Sequence, residues 1–177
     1  MPSHNIVIPS LKLKFSGKYS IAQVDQSIKN FLAQHEYVLE GINNDASVSE
    51  NSKEESLTYS CSKQLDHHKV SSILIAATYT HAQPTKRTRS GGWEQIYEGD
   101  VTIEFKAVIK SYGHLGIQHD PKKFFFGFMF KRFIMGSENV EQKELAKTVT
   151  DMYAEIHGLL QINNFESSGP LAGARHA

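Results

Sequence analysis

Residues 101–109 carry the pattern that most restricts the fold of this chain. Every second residue in this run is apolar: Val101, Ile103, Phe105, Ala107 and Ile109. The positions between them are mostly polar, and a period of two is typical of a β-strand with one buried and one solvated face. Antiparallel sheets tolerate such a solvated face, whereas parallel sheets are usually covered on both sides. The sequence therefore predicts an antiparallel sheet that is covered on one face.

Other parts of the chain repeat this alternation. Apolar residues and lysines alternate near the N-terminus, which predicts a strand over residues 5–15. Apolar and hydroxyl side chains alternate over residues 57–62, and a β-branched run follows at residues 70–82. We therefore predict two antiparallel strands joined by a turn at residues 66–69.

Two segments have the spacing of amphipathic helices. Residues 21–40 carry apolar side chains at helical intervals, and Ser20 stands before them as the N-cap. A second apolar stripe predicts a C-terminal helix that begins near Ser137 and ends near Asn163. Both helices have one apolar face, so we expect both to pack on the sheet.

The remaining segments are polar. Residues 43–56 are acidic and poor in large apolar groups, so we expect a mobile surface loop there. Residues 83–92 combine a proline, paired glycines and three cations, which predicts an exposed loop. The chain is long enough for one domain, which we place at residues 1–165, with a disordered tail at 166–177.

These elements predict an α+β fold with an antiparallel sheet of four to five strands. An N-terminal helix and a long C-terminal helix pack on one face, in the order β-α-β-β-β-β-α. The order resembles helix-grip folds, in which a long C-terminal helix lies across a curved sheet and can enclose an apolar ligand. This resemblance is one of topology alone and rests on no sequence motif.

A phenylalanine-rich segment at residues 122–135 (KKFFFGFMFKRFIM) holds six of the ten phenylalanines. We favour a strand, because a helix would be apolar around nearly its whole circumference. A strand would place four phenylalanines on one face and mostly apolar residues on the other, so we expect both faces of this strand to be buried. The four are Phe124, Phe126, Phe128 and Phe130.

Four kinds of surface would cover this segment: the core of the chain itself, a protein or apolar ligand, a membrane, or stacked bases. Cations flank it at Lys122, Lys123, Lys131 and Arg132, an arrangement found in peripheral membrane anchors. Lys86, Arg87 and Arg89 would extend a basic surface if they lie nearby. If one face of the segment is bare, we expect self-association through it.

Composition removes several classes of function. Lys plus Arg and Asp plus Glu both number 19, so no overall basic charge attracts nucleic acid, and such a partner is not expected. Cys61 is the only cysteine, which excludes an internal disulfide and a thiolate zinc cluster and favours a cytoplasmic location. Neither a signal peptide nor a membrane-spanning run is visible.

Candidate chemistry is sparse. The chain has nine histidines, but His67 and His68 would point to opposite faces of a strand, and His114 and His119 do not have metal-ligand spacing. Cys61 alternates with apolar residues, so we expect a small buried hydrophobe and not a nucleophile. We predict no catalytic residue, no metal and no cofactor.

The sequence is best explained by a soluble protein that acts by binding. We expect it to hold a partner protein or an apolar small molecule through the sheet and the phenylalanine-rich segment. A peripheral membrane protein anchored by that segment is the first alternative, and a histidine-dependent enzyme is the second.

Overall fold

The structure is a computed structural model that describes the backbone of residues 3–48, 52–89, 92–112 and 121–168. Side chains are described for residues 4–48, 52–86, 94–112 and 140–164. The elements, in chain order, are β1 (Ser3–Tyr19), α1 (Ile21–Gln34), β2 (Val38–Val48), β3 (Lys53–Asp66), β4 (Lys69–Arg89), β5 (Gly92–Ser111) and α2 (Pro121–Ser168). The predicted α+β class and the order β-α-β-β-β-β-α are confirmed, with β2 among the four consecutive strands in place of the strand predicted at residues 122–135.

The five strands form one antiparallel sheet in the order β1-β5-β4-β3-β2. Strands β2 to β5 follow one another as a meander, including the predicted hairpin between β3 and β4, and β1 pairs with β5. Strands β1 and β2 are therefore the two edges of the sheet. Because every pair of neighbours is antiparallel, these two edge strands run in the same direction.

The alternation at residues 101–109 is confirmed, since its apolar side chains are all buried. They lie on the face of the sheet that is packed by the helices, which we call the inner face; the opposite face is the outer face. The predicted apolar stripe of α2 is buried in the same core. Its buried members are Leu145, Val149, Met152, Ile156 and Leu160, and its sixth member, Leu159, is partly buried against them.

Helix α1 begins as predicted, because the Ser20 hydroxyl accepts a hydrogen bond of 3.4 Å from the backbone N–H three residues later. The prediction that it continues over 21–40 is wrong. Glu36 has a φ of 63°, and Tyr37 N donates to Leu32 O at 2.9 Å, which is the hydrogen bond of a Schellman motif. The chain thus leaves the helix six residues before the predicted end.

The acidic segment 43–56 is not a loop in its described part. Its first residues belong to β2, which pairs with β3, and residues 49–51 lie outside the described part of the chain. All eleven residues of β2 are exposed. An edge strand of this kind needs backbone pairing and no buried side chains, which explains why an apolar pattern does not reveal it.

The predicted exposed loop at 83–92 is also wrong for its described residues. Strand β4 continues to Arg89, and β5 begins at Gly92 and pairs with it. Pro84 is tolerated within β4 because the pairing of β3 with β4 ends at Ala82, so among the described residues Pro84 has a strand partner on one side only.

The phenylalanine-rich segment lies within helix α2, so the strand interpretation of residues 122–135 is wrong. Pro121 is the first residue of the helix, where its missing N–H costs no hydrogen bond. Ser137 is inside this helix and is therefore not its N-cap. The helix extends to Ser168, and residues 169–177 of the predicted tail lie outside the described residues. The domain boundary stays a prediction.

Strand β4 bends at a bulge between Thr80 and Gln83, where the pairing with β5 shifts by one residue. His81 lies in this bulge with a φ of 54°, a left-handed conformation that side chains rarely adopt. Gly99 stands opposite, and a Cβ there would lie 2.7 Å from the Thr80 carbonyl oxygen. The bulge therefore requires glycine on the facing strand.

Candidate functional site: a groove beside an exposed strand

The two helices cover the inner face of the sheet except at β2. Leu39 and Ile42 of β2 pair with Cys61 and Tyr59 of β3, so they share the inner face with these buried residues. Nevertheless Leu39 is 36% exposed and Ile42 is 41% exposed, and Val48 at the end of the strand is 79% exposed. The apolar inner face thus continues beyond the cover that the helices provide.

A groove of about 440 Å³ lies at this uncovered margin, between α1, β2, β3 and the start of β5. Helix α1 contributes Ile21, β2 contributes Ile42 and β3 contributes Leu57. Tyr97 of β5 is a further lining residue. These apolar side chains form the apolar centre of the groove.

Two ion pairs border the groove. Lys29 Nζ lies 2.8 Å from Asp25 Oδ2 on α1, and Lys53 Nζ lies 2.6 Å from Glu55 Oε2 on β3. The hydrogen bond to Glu55 raises the pKa of Lys53, so this ammonium stays charged. Asn44 of β2 also donates to Glu55 Oε1 at 3.1 Å. The groove therefore presents fixed charges of both signs around an apolar centre.

A cluster of tyrosines lies in the core beneath these charges. Tyr59 donates a hydrogen bond of 2.8 Å to Asp25 Oδ1, which connects β3 to α1. Tyr19 stacks on Tyr79 and Tyr97, with ring centroids 5.5 and 6.4 Å apart. The hydroxyls of Tyr19 and Tyr79 are buried and have no hydrogen-bond partner among the described residues. Burial raises the pKa of Tyr19, Tyr59 and Tyr79, so all three are neutral near pH 7.

Cys61 does not have the surroundings of a nucleophile. Its thiol is buried and donates to the Ile73 carbonyl oxygen at 3.2 Å. Burial raises the pKa of Cys61 to about 12, which keeps the thiol protonated. The prediction that Cys61 lies on the apolar strand face is confirmed.

The histidines of the described residues are dispersed. His67 and His68 are exposed in the turn between β3 and β4, and His81 lies in the bulge with Nδ1 3.5 Å from Asp100 Oδ2. Among the residues that the structure describes, no three His, Cys, Asp or Glu side chains come together as metal ligands. His114 and His119 lie outside the described residues.

The basic and aromatic residues singled out from the sequence are distributed over two elements. Lys86, Arg87 and Arg89 belong to β4, where Lys86 is exposed. The phenylalanines and cations of residues 122–132 belong to α2, and their side chains lie outside the described part. A shared basic surface, a membrane anchor and the contact through these phenylalanines all stay predictions. No helix in the described ranges has both the length and the hydropathy to cross a membrane.

The groove was not found from the sequence, although one signal was present. Glu55 is in phase with the apolar residues Leu57, Tyr59 and Cys61, so the alternation assigns a carboxylate to the inner face. An inward-facing carboxylate needs a partner and marks a position where the core ends or a site begins. Assigning residues 43–56 to a loop concealed this signal.

The candidate functional features of this chain are the groove and the exposed strand beside it. Both features come from the described residues alone, and neither depends on the phenylalanine-rich segment. Comparison with known protein families and with curated proteins gave no match to the sequence.

Proposed function

We propose that the protein acts by binding and not by catalysis, and that it holds a segment of a partner protein against the inner face of β2. The observation that carries this proposal is the exposed apolar surface of Leu39, Ile42 and Val48 on a face that is buried elsewhere. Apolar surface of this kind beside polar groups is typical of protein-binding sites.

The lining of the groove suggests the chemistry of the bound segment. An apolar side chain would contact Ile21, Ile42 and Leu57, and the ion pairs on either side would accept polar or charged neighbours. Such a mixture of an apolar centre and a polar rim is typical of sites that bind a folded or extended protein segment. It fits a purely apolar molecule less well.

The core between the sheet and α2 also favours a protein partner over an enclosed apolar ligand. Ile75 and Phe105 of the sheet and Val149, Met152 and Ile156 of α2 are all buried there. A cavity between the C-terminal end of α1, the middle of α2 and strands β3 and β4 measures about 30 Å³, which holds water and no larger guest. A pocket of about 300 Å³ lies beside Glu141 of α2, but its lining is mostly polar and includes His4, Asn5 and Lys69, so it does not suit an apolar ligand.

Site-specific crosslinking tests the proposal. A photoreactive amino acid replaces Ile42 in one variant and Leu74 in a control, which is 40% exposed on the outer face of central strand β4. We expect a crosslinked protein at position 42 and not at position 74 when the chain is expressed in its native cells. The product must also bind the purified chain and lose affinity for the Ile42→Asp variant. Equal crosslinking at both positions would contradict the proposal.

A further inference from the structure

The two edges of the sheet differ in charge. Strand β2 carries Glu40 and Asp45 and contains no cation or proline over its whole length. Asp45 pairs with Ser56, so it lies on the outer face, whereas Ile42 and Ala46 lie on the inner face. The β2 edge is thus acidic outside and apolar inside.

The β1 edge has the opposite charge in its regular half. Leu13 is buried on the inner face, and Lys12 and Lys14 alternate with it and are exposed. Lys12 pairs with Glu104 of β5, whereas Lys14 pairs with Thr102, which leaves Lys14 without a facing carboxylate. This part of the edge is therefore basic outside and apolar inside.

The N-terminal half of β1 differs from this regular half. The pairing with β5 shifts twice between Ile6 and Leu11, and Pro9 has no N–H to donate. These features disfavour the addition of another strand there. Pairing at the β1 edge would use the stretch from Leu11 onward.

We infer that the partner of β2 is the β1 edge of a second copy of this chain, an inference that rests on the proposed function of β2 as a binding surface. Lys12 and Lys14 of one copy lie near Asp45 of the next, on a shared outer face. Both inner faces are apolar, so the extended sheet keeps one apolar and one charged side. The inner faces of the two copies lie on the same side of the extended sheet. Because β1 and β2 run in the same direction within one copy, β1 of one copy then pairs with β2 of the other in a parallel arrangement.

Symmetric pairing is less favourable on electrostatic grounds. Two β2 edges side by side bring Glu40 and Asp45 of one copy close to the same carboxylates of the other. Two β1 edges likewise bring Lys12 and Lys14 close to their equivalents. Like charges on facing strands are destabilising, whereas opposite charges contribute to pairing. Charge therefore selects the contact between unlike edges.

The same arrangement gives the groove a second wall. Helix α2 packs chiefly on β1, and Asn164 near its end accepts a hydrogen bond of 3.2 Å from Lys18 N. When β1 of a second copy pairs with β2, the α2 helix of that copy borders the bare inner face of β2. Ile42 and Val48, which flank Asp45 in the chain, then lose exposure to solvent, as the apolar inner face does elsewhere in the sheet.

A contact between unlike edges leaves one free edge of each kind at the ends of the assembly. Repetition of this contact produces a closed ring if the rotation between copies closes, and an open filament if it does not. A symmetric dimer would stop at two copies. The size of the assembly therefore distinguishes the two arrangements.

Two charge variants of the full chain test the inference. The first, Lys12→Glu with Lys14→Glu, blocks the β1 edge, and the second, Ile42→Asp with Ala46→Asp, blocks the β2 edge without creating a charge that attracts the blocked β1 edge. Sedimentation velocity of the wild-type chain should reveal association beyond a dimer that weakens as salt is added. Each variant alone should associate at least about tenfold more weakly, whereas an equimolar mixture should form a one-to-one heterodimer through the two intact edges.

A matched control is Leu74→Asp, which introduces an acidic charge on a central strand and should associate like the wild type. Circular dichroism must show that each variant keeps its fold. A strictly monomeric wild type at millimolar concentration would overturn the inference, and so would self-association of the β1-blocked variant that is as tight as that of the wild type. If the wild type is monomeric but Ile42 crosslinks a different protein, this inference is wrong while the proposed function stands.

Discussion

The inner face of the sheet has two regions that differ in their exposure to solvent. Over β3, β4 and β5 it is packed by α1 and α2, and residues such as Ile75 and Phe105 are fully buried. At β2 the same face continues with Leu39, Ile42 and Val48, which remain exposed. The difference shows that strand formation and core formation are separate in this chain. Backbone pairing with β3 is sufficient to form β2, and its side chains stay available for binding.

Thiol labelling should give the largest contrast between the two regions. Burial raises the pKa of Cys61 from its ordinary value to about 12, so the thiolate fraction falls by about a thousandfold. We expect Cys61 to react with a thiol reagent at least that much more slowly than the introduced cysteine of an Ile42→Cys variant. Absorbance kinetics at pH 8 measures both rates. Comparable rates would mean that the inner face opens readily at β3.

Two isoleucine-to-alanine variants compare the regions by stability. Ile75→Ala removes a fully buried side chain and should lower the free energy of unfolding by about 2–5 kcal/mol. Ile42→Ala removes an exposed side chain and should change it by less than about 1 kcal/mol in the monomer. Urea denaturation at low protein concentration measures both. A large loss for Ile42→Ala would show that another surface already covers β2.

Two tyrosine variants test the polar part of the covered region. Tyr59→Phe removes the hydrogen bond to Asp25 and should lower the free energy of unfolding by about 1–2 kcal/mol. Tyr19→Phe removes a buried hydroxyl that has no partner among the described residues, so it should be neutral or slightly stabilising. Thermal unfolding of the two variants measures the difference. Equal losses would indicate that the Tyr19 hydroxyl has a partner.

A change of pH near neutrality should have the smallest effect on stability, because the buried tyrosines contribute to the pH dependence only at alkaline pH. Burial raises the pKa of Tyr19, Tyr59 and Tyr79 in the folded state, so these groups keep their protons when the unfolded chain begins to lose them. Their contribution to stability is complete below pH 10 and is lost as the pH rises toward the folded values. Tyrosinate absorbance should therefore rise in two steps, of which the second coincides with unfolding. A single step near pH 10 would contradict the burial of this cluster.

The sequence predicted the parts of the fold in which side chains report burial. The alternation at 101–109, the cap at Ser20 and the apolar stripe of α2 were all readable, because each side chain lies on a covered face. Strand β2 was not predicted, since none of its side chains is buried. The end of α1 was missed because Glu36, and not glycine, adopts the left-handed conformation there.

The same limit explains why the groove was missed. Its lining comes from α1, β2, β3 and β5, and Ile21 and Tyr97 are far apart in the chain. Ile21 lies near Tyr97 because Tyr19 of β1 pairs with Tyr97 of β5, and Ile42 joins this lining through the pairing of β2 with β3. The phenylalanine-rich segment was predicted as a strand and is a helix, because its apolar residues fit both structures.

The bulge at His81 has a consequence for how this protein tolerates changes in length. The extra residue sets which side chains of β4 beyond Ala82 face each side of the hairpin with β5. Deletion of the extra residue in the bulge would move each side chain of β4 beyond Ala82 to the opposite face of the hairpin. Deletion of one residue from each strand beyond the bulge would shorten the hairpin and leave the rest of the sheet unchanged. In relatives of this chain, we therefore expect insertions and deletions here to occur in cross-strand pairs. Gly99 should accompany the bulge wherever it is kept.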